Sequence, residues 1–153
     1  MKDWIEKHQV TEVECIIPDL AGAARGKIMP AAKFTGDATL RMPQAVFMQS
    51  VTGEYPESFD TYNPTDVDML LHPDPNTIRV LPWAKESSAQ VIHDCTDKAG
   101  QPIEISPRYV LRRILSLYEA EGWQPIVAPE LEFYLLKPNL DPKQSLEPPI
   151  GRT

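Results

Sequence analysis

The chain has 153 residues, 42% of them hydrophobic, which is enough for one ordinary domain or for one small domain and the start of another. Its formal net charge of -7 makes nucleic acid and anionic membranes poor partners, because phosphate groups repel an acidic surface. No apolar run approaches the roughly 20 residues that cross a bilayer, and the N-terminus lacks a signal-peptide core, so we expect a cytoplasmic protein.

The first half of the chain is predicted to form short strands separated by turns, after a short N-terminal helix. Val13, Cys15 and Ile17 alternate with glutamates, which is typical of a strand with one buried face. In chain order, the pattern predicts a strand over residues 11–17, a turn at 18–22, a strand at 26–30, a strand or short helix over 45–51, and a long loop over 53–75.

The second half contains the strongest helix prediction. Ser106 suits the N-cap, Pro107 suits the first helical position, and Gly122 can end the helix. Strands are predicted before it, over residues 77–83 and 89–95. The apolar stripe of the helix comprises Val110, Leu111, Ile114, Leu115 and Tyr118.

Several side chains with potential chemistry are interpreted as structural. Cys15 and Cys95 have no metal-ligand spacing and are predicted to pack as small hydrophobic groups, although a disulfide between them stays open. His93 is interpreted as a hydrogen-bonded structural histidine and His72 as a loop residue. Arg25 is assigned no role.

Glu130 and Glu132 form the most informative pattern, because they lie two residues apart in the alternating apolar stretch from Ile126 to Leu136. In a strand, residues i and i+2 share one face and lie about 6.6 Å apart along the chain. Two neighbouring divalent cations could then each receive one carboxylate. A strand with a solvated acidic face is the more common explanation of such a pattern taken alone.

The pattern of buried and exposed positions ends after Leu136. Residues 137–153 contain four prolines and are predicted to form an extended arm. A domain is expected to begin near Pro102 and to be incomplete at Thr153. We therefore expect the chain to be the N-terminal part of a longer protein.

Several segments, in the same order along the chain, resemble the glutamine synthetase family, and among its members the γ-glutamylpolyamine (γ-glutamylputrescine synthetase-like) branch. Single motifs are weak, but their order and spacing are fairly specific. The segments that resemble the family are Gly26-Lys27, Asp66-Val67-Asp68-Met69, Arg79-Val80-Leu81-Pro82-Trp83, Ser106-Pro107-Arg108 and Ala128-Pro129-Glu130-Leu131-Glu132-Phe133-Tyr134. The segments that resemble the branch are Ala24-Arg25-Gly26-Lys27-Ile28, Ser50-Val51-Thr52-Gly53, Ala89-Gln90-Val91-Ile92-His93-Asp94 and Gly122-Trp123-Gln124-Pro125-Ile126-Val127-Ala128-Pro129-Glu130.

The resemblance implies an α+β fold with two parts. Residues 1–101 are expected to form a β-grasp N-terminal domain, and residues 102–153 the start of a glutamine synthetase-type catalytic domain. It also implies a homo-oligomeric ring in the full-length protein, in which the N-terminal domain of one subunit completes the active site of its neighbour. The 153-residue chain alone is expected to be inactive.

The resemblance further implies an ATP-dependent ligase that joins the γ-carboxylate of glutamate to an amine through γ-glutamyl phosphate. Mg²⁺ or Mn²⁺ would neutralise the phosphate oxygens. By matched position, Glu130 and Glu132 would each bind one of two metal ions. The catalytic residues and the ATP and glutamate sites are not assigned.

The amine site departs from the pattern of ammonia-using members. Residues 47–51 match the family's F-D-G-S-S turn, and Met48 replaces its aspartate. A thioether can line a pocket for methylene groups but cannot stabilise a small buried cation. An alkylamine or polyamine acceptor is therefore predicted, with Met48, Ser50 and Glu54 as substrate-binding residues. The acids available for a distal ammonium group are Glu54, Glu57 and Asp60.

Two main alternatives stay open. One is a glutamine synthetase that uses ammonia, and the other is a non-catalytic β-grasp module for binding or assembly. A self-sufficient module predicts that Leu131, Phe133 and Leu135 are buried, whereas part of a larger catalytic domain predicts that they are partly uncovered. A metal-storage or metal-sensing protein would depend on the two glutamates alone.

Overall fold

The structure, a computed structural model, describes residues 1–36, 39–57 and 67–151. The chain divides into two units, Met1–Trp123 and Gln124–Thr153. The helices are α1 (Lys2–Lys7), α2 (Ala31–Phe34) and α3 (Pro107–Ala120), with 3-10 helices at Gln44–Met48 and Pro75–Thr77. The strands are β1 (Glu12–Pro18), β2 (Ala24–Pro30), β3 (Leu40–Pro43), β4 (Asp68–Pro73), β5 (Arg79–Val80) and β6 (Ser88–Thr96).

Within the described residues, the first unit is built on a mixed sheet of six strands. Its order is β2-β1-β6-β4-β3, and β5 also pairs with β6. The pairing of β1 with β6 is parallel, whereas the other strand pairs are antiparallel. A mixed sheet with helices agrees with the predicted α+β class.

The predicted hairpin is confirmed by β1 and β2, which pair from Glu12 opposite Pro30 to Pro18 opposite Ala24. Val13, Cys15 and Ile17 are fully buried, because alternate residues of a strand point to the same face. The inward residues of β6 follow the same alternation. The core of the first unit therefore lies against one face of the sheet.

The core consists of two groups of apolar side chains along that face. The first includes Val13 and Val91, and the second includes Ile17 and Phe47. His93 lies on β6 between inward-facing Val91 and Cys95 and is 1% exposed, so it is part of the interior. This confirms its structural interpretation.

Two predictions about the middle of the chain are wrong. Residues 68–73, expected in a long loop, form β4, because Met69 and Leu71 are buried while β4 pairs with both β3 and β6. His72 accordingly lies in a strand rather than in a loop. The strand predicted over 77–83 is reduced to β5, which follows a 3-10 turn.

The predicted helix is confirmed as α3, and Gly122 has the positive φ of 73° that suits a glycine after a helix. Its apolar stripe is not buried: the side chains named above are between 39% and 56% exposed. None of the helices in the described parts of the chain has the length and apolarity needed to cross a membrane.

A cluster of charges attaches α3 to the sheet. Arg108 Nε donates to Asp94 Oδ1 at 2.7 Å, and Arg108 also pairs with Asp74. Arg112 Nη2 lies 2.9 Å from carboxylate oxygens of both aspartates. The pKa of the Asp74 carboxyl is lowered by the Asn76 backbone N–H and by the two guanidinium charges. The helix therefore contacts the sheet through its polar face.

The predicted domain boundary between Gln101 and Pro102 falls inside the first unit. Pro102 forms an isolated antiparallel bridge with Thr96, and Ile103 is buried in the core of the first unit. The division into residues 1–101 and 102–153 stays a prediction.

Candidate active site

Glu130 and Glu132 lie in the second unit, in a segment without regular secondary structure. The strand predicted from Ile126 to Leu136 is absent from the described residues, because a strand requires a hydrogen-bonded partner and no other described segment pairs with this one. The alternation of apolar and polar side chains in this segment is typical of a strand. Such a pattern does not form a strand unless a neighbouring strand supplies the backbone hydrogen bonds.

The two carboxylates are both exposed to solvent. Glu132 lines an open groove of about 390 Å³ together with Leu131, Phe133 and Tyr134. Carboxylate oxygens are the donors that Mg²⁺ and Mn²⁺ prefer, so the chemistry of the pair fits a hard divalent ion. Among the described residues no group of three or more His, Cys, Asp or Glu side chains converges, so the pair is an incomplete ligand set.

The apolar neighbours of the two glutamates are uncovered. Leu131 is 91% exposed, Phe133 76% and Leu135 69%. This observation contradicts the prediction of a self-sufficient module, in which these side chains would be buried.

The proline-rich segment after Leu136 was predicted as an extended arm, but its described part turns back on itself. Lys137 N donates to the Glu147 carbonyl at 3.1 Å, and Lys137 Nζ pairs with Glu147 Oε2 at 2.7 Å. The reversal occurs because Asn139 and Asp141 side chains accept backbone N–H groups two residues ahead. The second unit therefore has its own local order without a strand.

The predicted amine site lies in the first unit. Met48 is the last residue of the 3-10 helix Gln44–Met48 and is half-buried, next to the fully buried Phe47. It lines an open cavity of about 450 Å³. The other residues that line this cavity are Gln44, Asp97, Pro102, Ile103, Glu104 and Ile105.

Ser50 and Glu54 are brought together by a tight loop. Ser50 N donates to the Glu54 carbonyl at 2.9 Å, and Glu54 N donates to Ser50 Oγ at 3.1 Å. Thr52 Oγ1 lies 2.9 Å from Ser50 Oγ and donates to Glu54 Oε2 at 3.3 Å, so the carboxylate has a defined orientation. Glu57 is exposed, and Asp60 lies outside the described residues.

The residue that attaches this loop to the sheet is Arg25, which was assigned no role from the sequence. Arg25, on β2, donates from Nε to Asp19 Oδ2 at 2.7 Å and from Nη2 to the Ser50 carbonyl at 2.6 Å. Burial alone would raise the pKa of Asp19, but the bonds from Arg25 and the Ala23 N–H hold it below its usual value. An arginine beside a turn is usually solvated. Only Asp19, in the turn before β2, could have indicated a partner for Arg25.

The chain matches a family model described as glutamine synthetase, catalytic domain, over residues 104–151. It is 30% identical over 145 residues to glutamate–isopropylamine ligase of a Pseudomonas species, covering 92% of this chain and 31% of that protein. It is 29% identical over 159 residues to gamma-glutamylputrescine synthetase PuuA of Escherichia coli strain K12, covering 99% of this chain and 33% of that protein.

A shorter part of the chain is similar to proteins named glutamine synthetase. Identity to a glutamine synthetase of Mycobacterium tuberculosis is 45% over 78 residues, which is 48% of this chain and 18% of that protein. The chain spans about a third of the length of the two relatives described above and less of this one.

Solved structures share the fold. A novel glutamine synthase homolog superposes with a TM-score of 0.61 at 23% identity, over 73% of this chain and 27% of that one. A structure of the GmaS/ADP complex gives 0.58 at 23% identity, over 78% of this chain and 25% of that one. The family match and the relatives described above confirm the resemblance that the sequence motifs indicated.

Proposed function

Because this chain is related to the glutamine synthetase family, we propose that it is part of an ATP-dependent ligase that joins glutamate to an amine. A γ-carboxylate oxygen of glutamate attacks the γ-phosphorus of ATP, and ADP leaves. The amine nitrogen then attacks the acyl carbon of γ-glutamyl phosphate, inorganic phosphate leaves, and the nitrogen loses a proton. The observation that carries this proposal is similarity along nearly the whole chain to ligases of this kind.

The proposed acceptor is an alkylamine or polyamine. Two relatives that match more than nine-tenths of this chain are named for isopropylamine and putrescine. Met48 supports the same choice, because a half-buried thioether lines the cavity and suits methylene groups better than a bare ammonium ion. Glu54, with its oriented carboxylate, is the proposed partner of a distal ammonium group.

The proposed metal ligands are Glu130 and Glu132. A bound Mg²⁺ or Mn²⁺ would supply charge neutralisation for the phosphate oxygens of ATP. The contribution of this chain is to present two hard oxygen donors two residues apart in sequence. Further ligands must come from other residues, since the pair is incomplete among the described ones.

The proposed architecture for residues 1–101 is a β-grasp domain. Support comes from the strand order β2-β1-β6-β4-β3 with its two central strands parallel.

A homo-oligomeric ring is proposed on the family resemblance. A cytoplasmic location follows from the proposed reaction, which consumes the cytoplasmic metabolites ATP and glutamate.

Ammonia is the second candidate acceptor, favoured by the 45% identity of about half the chain to a protein named glutamine synthetase. An assay of an intact enzyme that carries these residues distinguishes between the two proposed acceptors. We expect a higher kcat/KM with isopropylamine or putrescine than with ammonium chloride, measured by ADP release in the presence of glutamate. A clear preference for ammonium would overturn the alkylamine assignment.

A substitution in the proposed amine site makes this test sharper. Met48→Asp is expected to shift the preference toward ammonium, because a carboxylate stabilises a small cation. Val51→Asp is the matched control, since it adds the same charge at a side chain that is 75% exposed. An equal shift in both variants would show that added charge, and not position 48, changes the preference.

The metal assignment can be tested on this chain without any activity. Mn²⁺ is expected to broaden the NMR signals of residues near Glu130 and Glu132, and the double variant Glu130→Gln, Glu132→Gln is expected to abolish that broadening. Glu119→Gln on α3 is the control, an exposed glutamate outside the proposed site. Broadening that persists in the double variant would remove these residues from the proposed site.

A further inference from the structure

The loop from Ser50 to Glu54 is fixed in shape by its own hydrogen bonds, but its position depends on contacts with other segments. Ser50 N–Glu54 O and Gly53 N–Ser50 O are both 2.9 Å long and close the loop. Neither bond connects it to the sheet. One connection to the sheet is made by the Ser50 carbonyl, which accepts from Arg25 Nη2.

Arg25 is itself held in place by a buried carboxylate. The Asp19 side chain has no exposed surface and accepts Arg25 Nε on Oδ2, while its Oδ1 accepts the Ala23 N–H at 2.8 Å. Movement of the guanidinium away from this position would leave the buried Asp19 carboxylate without a countercharge, which is strongly unfavourable. One edge of the guanidinium is therefore fixed, and the other is directed at Ser50.

A second contact joins the same two segments. Leu20 N, next to Asp19 in the hairpin turn, donates to the Phe47 carbonyl at 3.3 Å. The Phe47 side chain is fully buried in the core. The stretch from Phe47 to Ser50 is thus attached to the β1–β2 hairpin at both ends, by Leu20 in the turn and by Arg25 on β2, and Met48 lies between the two attachments.

We propose that Arg25 is a positioning residue for the acceptor amine: held by Asp19, it fixes the Ser50 carbonyl and thereby sets Met48 and Glu54 at a defined separation. This inference rests on the proposed function, in which those two residues contact the amine. Arg25 itself touches the loop backbone and not the amine. Its effect should appear in the binding of the amine and not in the binding of glutamate.

Lysine cannot replace arginine in this role. A lysine at position 25 keeps a positive charge beside Asp19, but its single ammonium group lacks the planar fork that reaches two acceptors on opposite sides. Arg25→Lys therefore separates the two functions of the side chain: the buried carboxylate stays paired and the bond to Ser50 is lost. This variant is expected to fold, whereas Arg25→Ala would leave the buried Asp19 carboxylate without a countercharge.

Hydrogen exchange on this chain tests the attachment directly. In Arg25→Lys, the amides of Ser50, Gly53 and Glu54 are expected to exchange roughly tenfold faster, as the loss of one charge-assisted hydrogen bond implies. The midpoint of urea unfolding should stay unchanged. Lys27→Ala is the matched control, because Lys27 is also on β2 and donates to a backbone carbonyl, that of Arg41 at 2.8 Å. Unchanged exchange in Arg25→Lys would overturn the inference.

Steady-state kinetics of an intact enzyme that carries these residues tests the predicted effect of Arg25 on amine binding. Arg25→Lys is expected to raise the KM for the amine roughly tenfold while kcat and the KM for glutamate change less than twofold. An equal rise in both KM values would show a general structural effect and overturn the positioning role. If the intact wild-type protein lacks ligase activity, the proposed function and the amine role fall together, and the exchange experiment still decides whether Arg25 fixes the loop.

Discussion

Gly26 approaches the backbone of Cys15 so closely that a Cβ atom on Gly26 would lie 2.1 Å from the Cys15 carbonyl oxygen. The contact arises at the centre of the β1–β2 hairpin, where Gly26 is paired with Ile16. Both atoms that would collide belong to backbone or to a Cβ, so neither can rotate away. Only glycine fits at this position.

Gly26→Ala is expected to lower the free energy of unfolding by roughly 1–3 kcal/mol, the usual cost of forcing an extra methyl group into a packed position. Urea denaturation followed by circular dichroism measures the change. Gly151→Ala serves as the control, because a Cβ there would meet no atom within 4 Å. An equal free energy of unfolding in the Gly26→Ala protein and the wild type would show that β1 and β2 can move apart enough for a methyl group without loss of stability.

Protonation of His93 is expected to destabilise the first unit in mild acid. Burial lowers the pKa of this imidazole from 6.5 to about 4, although hydrogen bonds to the Val91 and Ile16 carbonyls act in the opposite direction. Between these two values the unfolded chain binds a proton that the folded chain excludes. Stability is therefore fully present above pH 6.5 and declines as the pH falls towards 4.

The expected loss between pH 7 and pH 5 is about 2 kcal/mol, from the difference between the two pKa values. Urea titrations at both pH values measure it. His93→Gln should reduce the loss, whereas His8→Gln should leave it unchanged, because His8 stacks on Trp4 at a partly exposed position. The same loss in the His93 variant would assign the acid sensitivity to other groups.

The two cysteines are expected to resist thiol reagents in the folded protein. Burial raises the pKa of Cys15 to about 12, and burial together with the Asp94 charge raises that of Cys95 to about 12. Both are free thiols, and the reactive thiolate form is negligible at pH 8. Mass spectrometry after iodoacetamide treatment should detect no adduct in buffer and two in urea. Rapid labelling in buffer would contradict the buried position of either cysteine.

Removal of apolar side chains from the second unit should leave the stability of the first unchanged. Phe133 and Leu135 are mostly exposed, so their truncation removes little buried area. The double variant Phe133→Ser, Leu135→Ser is expected to keep the wild-type melting temperature and to bind less of the apolar dye ANS. Phe47→Ser is the contrasting control, since Phe47 is fully buried. A large fall in melting temperature in the double variant would show that this segment is packed.

Local signals predicted part of the fold. The alternation at Val13, Cys15 and Ile17 identified β1 correctly, and the cap pattern from Ser106 to Gly122 identified α3. Ser106 occupies the N-cap position and Gly122 follows the last turn of α3, although the Ser106 side chain makes no capping hydrogen bond. The interior strand β4 was missed because turn-forming residues surround it, and its place depends on pairing with β3 and β6.

The candidate site was less accessible to sequence reasoning. The Arg25–Ser50 bond joins residues 25 positions apart through a backbone carbonyl, which leaves no trace in residue types. The orientation of α3 was also hidden, because an amphipathic pattern indicates which face is apolar and not whether that face is covered. For Glu130 and Glu132, the pattern predicted a strand whose formation requires partners that no other described segment supplies.

The neighbours β1 and β6 lie side by side although they come from opposite ends of the first unit, with Glu12 beside Ser88 and Ile16 beside Ile92. Parallel pairing of such distant segments closes a long loop and is slow compared with hairpin formation. A chain growing on the ribosome can therefore form the β1–β2 hairpin and the β3–β4 pair, but the strand that joins these two pairs, β6, is synthesised after them. Until then one edge of β1 stays open, and assembly of the unit awaits synthesis through Thr96.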